Sequence, residues 1–322
     1  MPSMPGPHLI GILRLDFILE TITGLLIRMP VQVQAARIGG ADAYPMITKK
    51  VYKLSNVGTK ELDVPYIPGS SLKGKMRSLL EQSLGKKLYT TDYKIWLHVR
   101  NLHEKAMSID EFEEDVKRGC EIDDLFGYMS IQYKAIYDAY RNKGLENEEA
   151  HAKTTELFMK LAPTRLLVSD LYPSATYVEK LFREKGFVSI ADFLEEKSEN
   201  RIDRVTSAAD PRDIVRVKPH VEFEGRITLL VFNRDLEQEA LLKRYLETLF
   251  RGLKLVEETY LGSSGSRGYG RFRFKNLNLK LLRTDKEMQN LKYEKVIEAK
   301  DLNELINKVK EISEIILKKL KH

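Results

Sequence analysis

The sequence predicts an α+β fold in which two strand–helix units build one sheet. The first unit begins with a β-like stretch over residues 8–19 and reaches a helix over residues 70–84. The second runs from a strand over residues 221–232, through an amphipathic helix, to a strand over residues 269–282. Two such units are typical of a ferredoxin-like (RRM-type) core, with its helices on one face of the sheet.

The elements of the first unit follow from short-range patterns. The first strand contains the apolar residues Ile10, Ile12 and Leu13 together with the charged residues Arg14 and Asp16, which indicates a half-buried strand. Residues 21–47 carry glycines and a Met-Pro pair, which predicts a strand followed by a loop. Residues 64–68 predict a short strand, because its two prolines limit pairing. The helix that follows has an apolar face formed by Leu72, Met76, Leu79 and Leu80.

The segment between the two units differs from the core. Residues 85–160 predict a helical insertion, with a charged helix over 108–118 and one or two amphipathic helices over 129–160. Residues 164–171 predict a buried strand that returns to the sheet, and residues 176–197 predict a helix.

Two further elements complete the expected organisation. Residues 200–216 form a candidate hairpin, and residues 295–320 predict a Lys/Glu-rich helix with apolar residues at helical spacing. The chain therefore divides into a core, an insertion and a C-terminal helical extension. The expected bounds are 1–84 and 161–283 for the core, 85–160 for the insertion and 290–322 for the extension.

The charge balance indicates a localised basic surface. Lys and Arg number 53 against 47 Asp and Glu, so the net charge is +6 and the pI is about 9.0. A nucleic-acid surface would then be a patch and not the whole protein. The single Cys120 excludes an internal disulfide and is typical of a reducing compartment. No stretch predicts a signal peptide or a membrane-spanning helix, so we expect a cytoplasmic protein with no membrane partner.

A glycine-rich stretch over residues 261–274 combines three kinds of residue. Glycine permits positive φ and a close approach to a ligand, serine offers hydroxyls, and arginine offers charged, planar donors. These groups together could bind a polyanionic backbone, although a flexible hairpin turn gives a similar sequence pattern. Tyr269, Phe272 and Phe274 alternate with arginines, which predicts a strand leaving the loop. The stretch contains Gly262, Gly265, Gly268, Gly270, Ser263, Ser264, Ser266, Arg267, Arg271 and Arg273.

A second stretch, over residues 64–81, also favours an anion. A Pro-Gly turn precedes the helix, and either Ser70 or Ser71 would cap it. The helix macrodipole disfavours cations at a helix start, and an anion bound there offsets them. The first turns nevertheless carry three cations, Lys73, Lys75 and Arg77.

Together these stretches resemble the signature segments of the RAMP superfamily of CRISPR proteins. The resemblance is to the repeating backbone subunit of the type III-A (Csm) effector complex, through YIPGSSLKGKMR and YLGSSGSRGYGRF. Two further stretches agree. Residues 23–42, which end in Ile38-Gly-Gly-Ala-Asp42, lie where the family has a glycine-and-aspartate loop, and residues 200–212 resemble its RNA-contacting hairpin. All four motifs stand in the family's order.

The resemblance implies a guide-RNA-binding subunit of a ribonucleoprotein. Copies would form a filament on crRNA with other effector subunits and would cleave complementary target RNA at regular intervals. A thumb over about residues 195–220 would kink the guide–target duplex. Asp42 would be catalytic and would transiently hold Mg²⁺ or another divalent cation. The RNA-binding residues would be Ser70, Ser71, Lys73, Lys75, Arg77, Arg201, Arg204, Arg212, Gly262, Gly265, Arg267, Gly268 and Arg271.

This chain departs from the family near the Thr-Gly-Leu turn, and alternatives stay open. Leu26 stands where related sequences often have histidine, and Arg28 replaces a usual glycine. One alternative is a non-catalytic RAMP subunit that caps the filament or holds the 5′ tag of the crRNA, with a structural Asp42. Another is a crRNA-processing endonuclease of the superfamily. Such an enzyme normally has an acid–base group near the Gly-rich loop, whereas the nearest histidine along this chain is His220.

Two other kinds of site are disfavoured. Residues 69–75 match the GxxxxGK pattern of a nucleotide-binding loop, but Met76 replaces the Ser or Thr that holds Mg²⁺. His98, His103 and Cys120 are weak candidates for zinc ligands, with His151 as a distant fourth. Structural zinc sites usually show more closely spaced ligand pairs, so surface histidines and a buried cysteine are the favoured interpretation.

Overall fold

The computed structural model describes residues 7–30, 43–90, 92–98, 108–127, 131–161, 164–237, 239–284 and 291–321. Its elements up to the end of the insertion are β1 (Leu9–Thr21), β2 (Ile47–Leu54), β3 (Gly58–Pro65), α1 (Gly69–Ser83), α2 (Ile109–Arg118), α3 (Glu121–Phe126), α4 (Tyr133–Asn142) and α5 (Asn147–Lys160). Those that follow are β4 (Leu166–Val168), β5 (Tyr172–Pro173), α6 (Ala175–Lys185), β6 (Leu194–Ile202), β7 (Ala209–Val217), β8 (Glu222–Phe232), α7 (Arg234–Glu237), α8 (Glu239–Glu258), β9 (Phe272–Arg283), β10 (Glu294–Ala299), α9 (Leu302–Asn307) and α10 (Val309–Lys321).

One antiparallel sheet forms the centre of the fold. Its strand order is β10-β9-β1-β8-β4, and β5 also pairs with β8. The side chains of β1 alternate between a buried face and a half-exposed face, as a period of two residues requires. Leu13, Leu15, Phe17 and Leu19 lie on the buried face. The chain therefore has a mixed α+β architecture with an antiparallel sheet.

Helices α1 and α8 pack against each other and share the main core with the sheet. A glycine permits their close approach. A Cβ atom at Gly252 of α8 would lie 2.5 Å from the side chain of Met76 and 2.9 Å from that of Leu80, both on α1. This packing fixes the start of α1 relative to the loop that follows α8.

The open face of the sheet carries an ion-pair network. The carboxylate of Asp16 on β1 accepts hydrogen bonds from Arg14 (2.7 Å), Arg226 (3.1 Å) and Lys280 (3.2 Å). Burial acts to raise the pKa of Asp16, but these three cations outweigh it and hold the pKa below its usual value. The central positions of this face are therefore charged and paired with one another.

The insertion has a small apolar core of its own, formed by residues of α2, α4 and α5. Ile109, Phe112, Ile136, Tyr140 and Leu157 are buried in it. The short helix α3 joins the insertion to the main core, which buries its Ile122, Leu125 and Phe126.

The C-terminal segment differs from the single helix expected over residues 295–320. Residues 294–299 form strand β10, which pairs with β9, and two helices follow. The carboxylate of Asp301 accepts the backbone N–H of Glu304 (3.0 Å) and so caps α9. Both helices bury apolar residues in the main core. None of the described helices combines the length and the apolar composition needed to cross a lipid bilayer.

Two other expectations differ from the structure. The helix expected over residues 176–197 ends at Lys185, because Gly186 adopts a left-handed conformation (φ 79°). The chain then enters β6 at Leu194. Residues 47–65 form the hairpin of β2 and β3, whereas the sequence predicted a strand only over 64–68 in this part of the chain.

Candidate nucleic-acid interface

The Gly-rich loop is fixed against the segment that follows β1. The N–H of Gly270 donates to the carbonyl of Gly24 (2.9 Å), and both the N–H and the hydroxyl of Ser263 donate to the carbonyl of Leu26 (2.8 and 3.1 Å). A Cβ atom at Gly262 would lie only 2.4 Å from that carbonyl oxygen. Gly262 therefore serves packing within the protein. Gly268 has φ +83° and open space at its Cβ position, so this part of the loop is accessible.

The start of α1 lies beside the Gly-rich loop, so the structure brings together the two stretches that indicated an anion. The ring of Tyr260 lies under Gly265, where a Cβ atom would be 2.1 Å from it. The amine of Lys75 lies 4.0 Å from the centroid of the same ring. Ser70 is exposed at the first turn, and Ser71 is half-buried.

The other two cations of α1 make contacts within the protein. The amine of Lys73 donates to the carbonyl of Leu166 (2.9 Å), and its burial lowers its pKa. Arg77 donates to the carbonyls of Gly127 (2.8 Å) and His98 (2.6 Å). The first N–H of the helix, at Gly69, donates to the carboxylate of Asp170 (2.8 Å). An acidic side chain of the protein therefore already occupies the helix start, which disfavours a nucleotide phosphate there.

Strands β6 and β7 form an exposed hairpin, here called the thumb hairpin. At its tip the carboxylate of Asp203 accepts the N–H groups of Val205 (2.9 Å) and Thr206 (2.7 Å), which fixes the turn. The side chain of Val205 is 91% exposed. Along the strands, Arg201 pairs with Asp210 (2.8 Å), and Arg212 lies 3.9 Å from the same carboxylate. The tip thus presents an apolar side chain next to strands that carry both arginines and acidic residues.

A cavity of about 670 Å³ lies between the thumb hairpin and the Gly-rich loop. Five arginines line it, whereas the acidic residues of its described wall are Glu199 and Asp210. We call it the arginine cavity; its arginines are Arg28, Arg201, Arg204, Arg212 and Arg267. Guanidinium groups converging on one hollow favour a polyanionic ligand.

Comparison with known proteins gives the family. The model of the RAMP superfamily matches residues 18–273, which is most of the chain. The chain belongs to the RAMP superfamily.

Two curated relatives of this RAMP protein carry the name CRISPR system Cms endoribonuclease Csm3. The relative from Methanothermobacter thermautotrophicus is 31% identical over 259 residues, which cover 80% of this chain and 81% of the relative. The relative from Streptococcus thermophilus is 29% identical over 242 residues, 74% of this chain and 81% of the relative. The Methanopyrus kandleri Csm3 crystal structure aligns with a TM-score of 0.49 and 18% identity, and covers 94% of this chain and 97% of that one.

The predicted catalytic residue of this RAMP protein, Asp42, lies outside the described residues. Its neighbour in the chain, Ala43, lines the arginine cavity. The carbonyl of Ala43 accepts the N–H of Val215 on the thumb hairpin (3.0 Å). The backbone after Asp42 is therefore fixed to the same hairpin that carries the arginines.

Sequence reasoning missed Tyr269 and Glu199. Tyr269 lies inside the Gly-rich loop and is completely buried. The sequence predicted a strand that includes Tyr269, but the observed strand β9 begins at Phe272. Its hydroxyl donates to the carboxylate of Glu199 on β6 (2.6 Å). Burial and this bond raise the pKa of Tyr269 to about 12. The signal in the sequence was one large side chain between Gly268 and Gly270.

Of the weak zinc candidates, His98 and Cys120 lie together and His103 is outside the described residues. The Nε2 of His98 lies 3.3 Å from the Sγ of Cys120 and 3.6 Å from Asp123, so these three groups could surround a metal ion. Burial acts to lower the pKa of His98, but its bonds to Cys120 and to the carbonyl of Lys87, with the charge of Asp123, raise it to about 9. A protonated His98 ring paired with the Asp123 carboxylate accounts for these contacts without a metal ion.

Proposed function

We propose that this chain is the guide-RNA-binding backbone subunit of a type III-A CRISPR effector and cuts complementary target RNA. Family membership and the endoribonuclease names of its relatives support the proposal. The single observation that carries it is the arginine cavity, which the thumb hairpin, the Gly-rich loop and Ala43 enclose together. Copies of the chain would stack along crRNA with other effector subunits, so each cavity would meet the duplex at a regular interval.

The RNA contacts that we propose lie on the accessible part of the predicted set. The phosphate backbone would lie beside the side chains of Ser70 and Lys75 on α1 and along the Gly-rich loop, where hydroxyls and cations are available. It would not contact the first N–H of α1, which Asp170 already accepts. Lys73 and Arg77 are excluded from these contacts, since their donors are directed to protein carbonyls. The proposed contacts are Ser70, Ser71, Lys75, Arg201, Arg204, Arg212, Gly265, Arg267, Gly268 and Arg271.

We assign the chemistry to Asp42 and to the RNA itself. The 2′-OH of the RNA is the nucleophile. It loses its proton as its oxygen attacks the adjacent phosphorus, and the P–O5′ bond breaks to leave a 2′,3′-cyclic phosphate. The departing O5′ takes a proton from water and becomes a 5′-OH end. The protein aligns the 2′-OH with the phosphate, and the cavity arginines offset the charge that develops. Asp42 either accepts the proton or helps to hold a divalent cation.

The described cavity wall offers limited support for a bound metal. Glu199 already contacts Lys197 (3.3 Å) and Arg267 (3.4 Å), and Asp210 contacts Arg201. Both described carboxylates are therefore neutralised by protein cations. We propose that Asp42 would hold Mg²⁺ or a similar cation only when RNA is bound, and that the cation would then offset charge on the phosphate.

We further propose that the core is ferredoxin-like. The order β9-β1-β8-β4, with α1 between β1 and β4 and α8 between β8 and β9, supports this topology. The ion pairs on the open sheet face then explain why this RAMP protein would bind RNA at its loops and thumb hairpin.

The test of the proposed function is Asp42→Ala in the assembled complex, with Asp138→Ala on the exposed face of α4 as a matched control. We expect the Asp42 variant to lose Mg²⁺-dependent cutting, while guide binding and assembly stay nearly unchanged. The control should cut like wild type. Gel-resolved time courses at matched RNA occupancy, with end-group analysis for the 5′-OH, measure the effect.

Two results would contradict the assignment. Unchanged cutting by the Asp42 variant would favour a non-catalytic RAMP subunit that caps the complex or holds the crRNA 5′ tag. Loss of cutting together with loss of assembly would make the aspartate structural.

A further inference from the structure

Four separate segments of the chain meet around Tyr269. Its ring packs in a small buried cluster with Leu26, Ala43 and Ile214. These residues belong to the segment after β1, the chain next to Asp42 and the thumb hairpin. Tyr269 itself belongs to the Gly-rich loop. This small cluster thus joins four chain segments that border the arginine cavity.

The ring of Tyr269 also lies close to two cations of the thumb hairpin. The amine of Lys197 is 4.6 Å from the ring centroid, and the guanidinium of Arg216 is 4.4 Å from it. Arg216 is held in place by Glu195 (2.7 Å). Cation–π contacts of this kind are attractive and tolerate small shifts of the ring. They hold the tyrosine in the base of the hairpin but do not fix it along one direction.

The hydroxyl of Tyr269 supplies the directional contact. It donates to Oε1 of Glu199 at 2.6 Å, across the junction between the loop and β6. The bond lowers the pKa of Glu199, which keeps the carboxylate ionised. The other oxygen of Glu199 lies 3.4 Å from the Nε of Arg267. Glu199 therefore connects the buried tyrosine to an arginine that faces the cavity.

We propose that Tyr269 is a positioning residue for RNA cleavage, and that its bond to Glu199 sets the angle of the thumb hairpin against the Gly-rich loop. This inference rests on the proposed function, since it concerns the same cavity. The bond does not touch RNA. It acts by holding Ala43 and the thumb hairpin in register with the cavity arginines. A displacement of about 1 Å can cost about 100-fold in rate when a reaction depends on alignment.

The test uses single-turnover cutting by the assembled complex at saturating target RNA. Tyr269→Phe keeps the ring and its cation–π contacts but removes the hydroxyl, so we expect the rate to fall by about 10- to 100-fold. Glu199→Ala should cause a similar loss, and the double variant should be no slower than either single one. Glu199→Gln keeps an oxygen that accepts the hydrogen bond of the tyrosine hydroxyl, so it should recover most of the rate that Glu199→Ala loses.

A matched control removes a tyrosine hydroxyl elsewhere. The hydroxyl of Tyr52 donates to the carbonyl of Pro173 (2.9 Å) in the main core, away from the cavity. Tyr52→Phe should lower thermal stability as much as Tyr269→Phe does, but should leave the cutting rate unchanged. A rate loss in both variants would indicate a general effect of stability and would overturn the positioning role.

Hydrogen–deuterium exchange gives a second readout that needs no cutting. In the complex with guide RNA, Tyr269→Phe should speed exchange at the base of the thumb hairpin, over residues 194–200 and 212–217, while the sheet stays protected. Wild-type exchange there and a wild-type cutting rate would overturn the inference. If the wild-type complex itself fails to cut, the proposed function is wrong, and the exchange comparison still decides whether Tyr269 fixes the hairpin.

Discussion

At the scale of single residues, Arg77 was predicted to bind RNA, but its side chain makes its contacts inside the protein. Its guanidinium reaches the carbonyls of Gly127 and His98 and the carboxylates of Glu81 (2.8 Å) and Asp123 (3.1 Å). The Asp123 side chain is completely buried. A buried carboxylate depends on the cations around it, so Arg77 stabilises the junction between α1 and the insertion.

We predict that Arg77→Ala destabilises the protein by about 3 kcal/mol, because it removes one of the cations that offset the buried Asp123. RNA affinity of the variant that remains folded should change little. Urea unfolding measures the stability, and Arg183→Ala, on the exposed face of α6, is the control that should stay within about 0.5 kcal/mol of wild type. Wild-type stability combined with weaker RNA binding would show that Arg77 is a ligand contact after all.

The sequence specified some residues of the site and not others, for physical reasons. Positive-φ glycines leave a clear pattern, so the Gly-rich loop was recognisable. A lysine or arginine has the same identity whether it faces RNA or a carbonyl, so Lys73 and Arg77 could not be separated from Lys75. The partnership of Tyr269 with Glu199 joins residues separated by 70 positions in the chain, and local patterns carry no signal for it.

At the scale of elements, the junction of the insertion depends on a charged histidine. His98 is buried. Its Nδ1 donates to the carbonyl of Lys87 (2.8 Å), and its Nε2 lies 3.3 Å from the Sγ of Cys120 and faces Asp123. Its pKa of about 9 in the folded protein lies above the usual 6.5. Its contribution to stability is therefore fully present below pH 6.5 and is lost as the pH rises through 9.

We predict that the free energy of unfolding of wild type falls between about pH 6.5 and pH 9 more steeply than that of His98→Gln, which carries no such charge. The difference between the two unfolding curves, measured by urea titration across this range, isolates the histidine. His151→Gln on α5, where the ring stacks on Tyr137 at 4.3 Å, is the matched control. Parallel curves for wild type and His98→Gln would show that the imidazolium contributes nothing at this junction.

The spacing of apolar residues predicted the elements in which the pattern is strong. It failed for segments whose secondary structure depends on pairing with a distant strand. Strand β1, helix α1 and strand β8 have long apolar repeats, so each was expected close to its observed position. β6 begins in a Glu/Lys-rich segment whose composition favours a helix, but pairing with β7 makes it a strand. β10 is likewise a strand only because β9 offers it an edge.

At the scale of the whole molecule, a modest net charge of +6 is distributed unevenly. On the open sheet face, cations are paired with Asp16, whereas the arginine cavity gathers five arginines against two described carboxylates. The cavity walls come from parts of the chain that are distant in sequence. The polyanion binding that we propose there would therefore depend on the assembled fold, and most of its attraction would be electrostatic.

The last prediction follows from this distribution of charge. RNA binding should be nearly independent of sequence and should weaken linearly in log Kd against log salt, because phosphate contacts release counterions. Arg204→Ala removes one cavity cation, so the slope for single-stranded RNA should fall by about 0.7. Arg183→Ala on α6 should leave both affinity and slope unchanged. Fluorescence anisotropy at several salt concentrations, with two RNAs of unrelated sequence, measures both quantities. A loss confined to one of the two RNAs would mean that Arg204 reads bases, and an unchanged slope would place the phosphate path outside the arginine cavity.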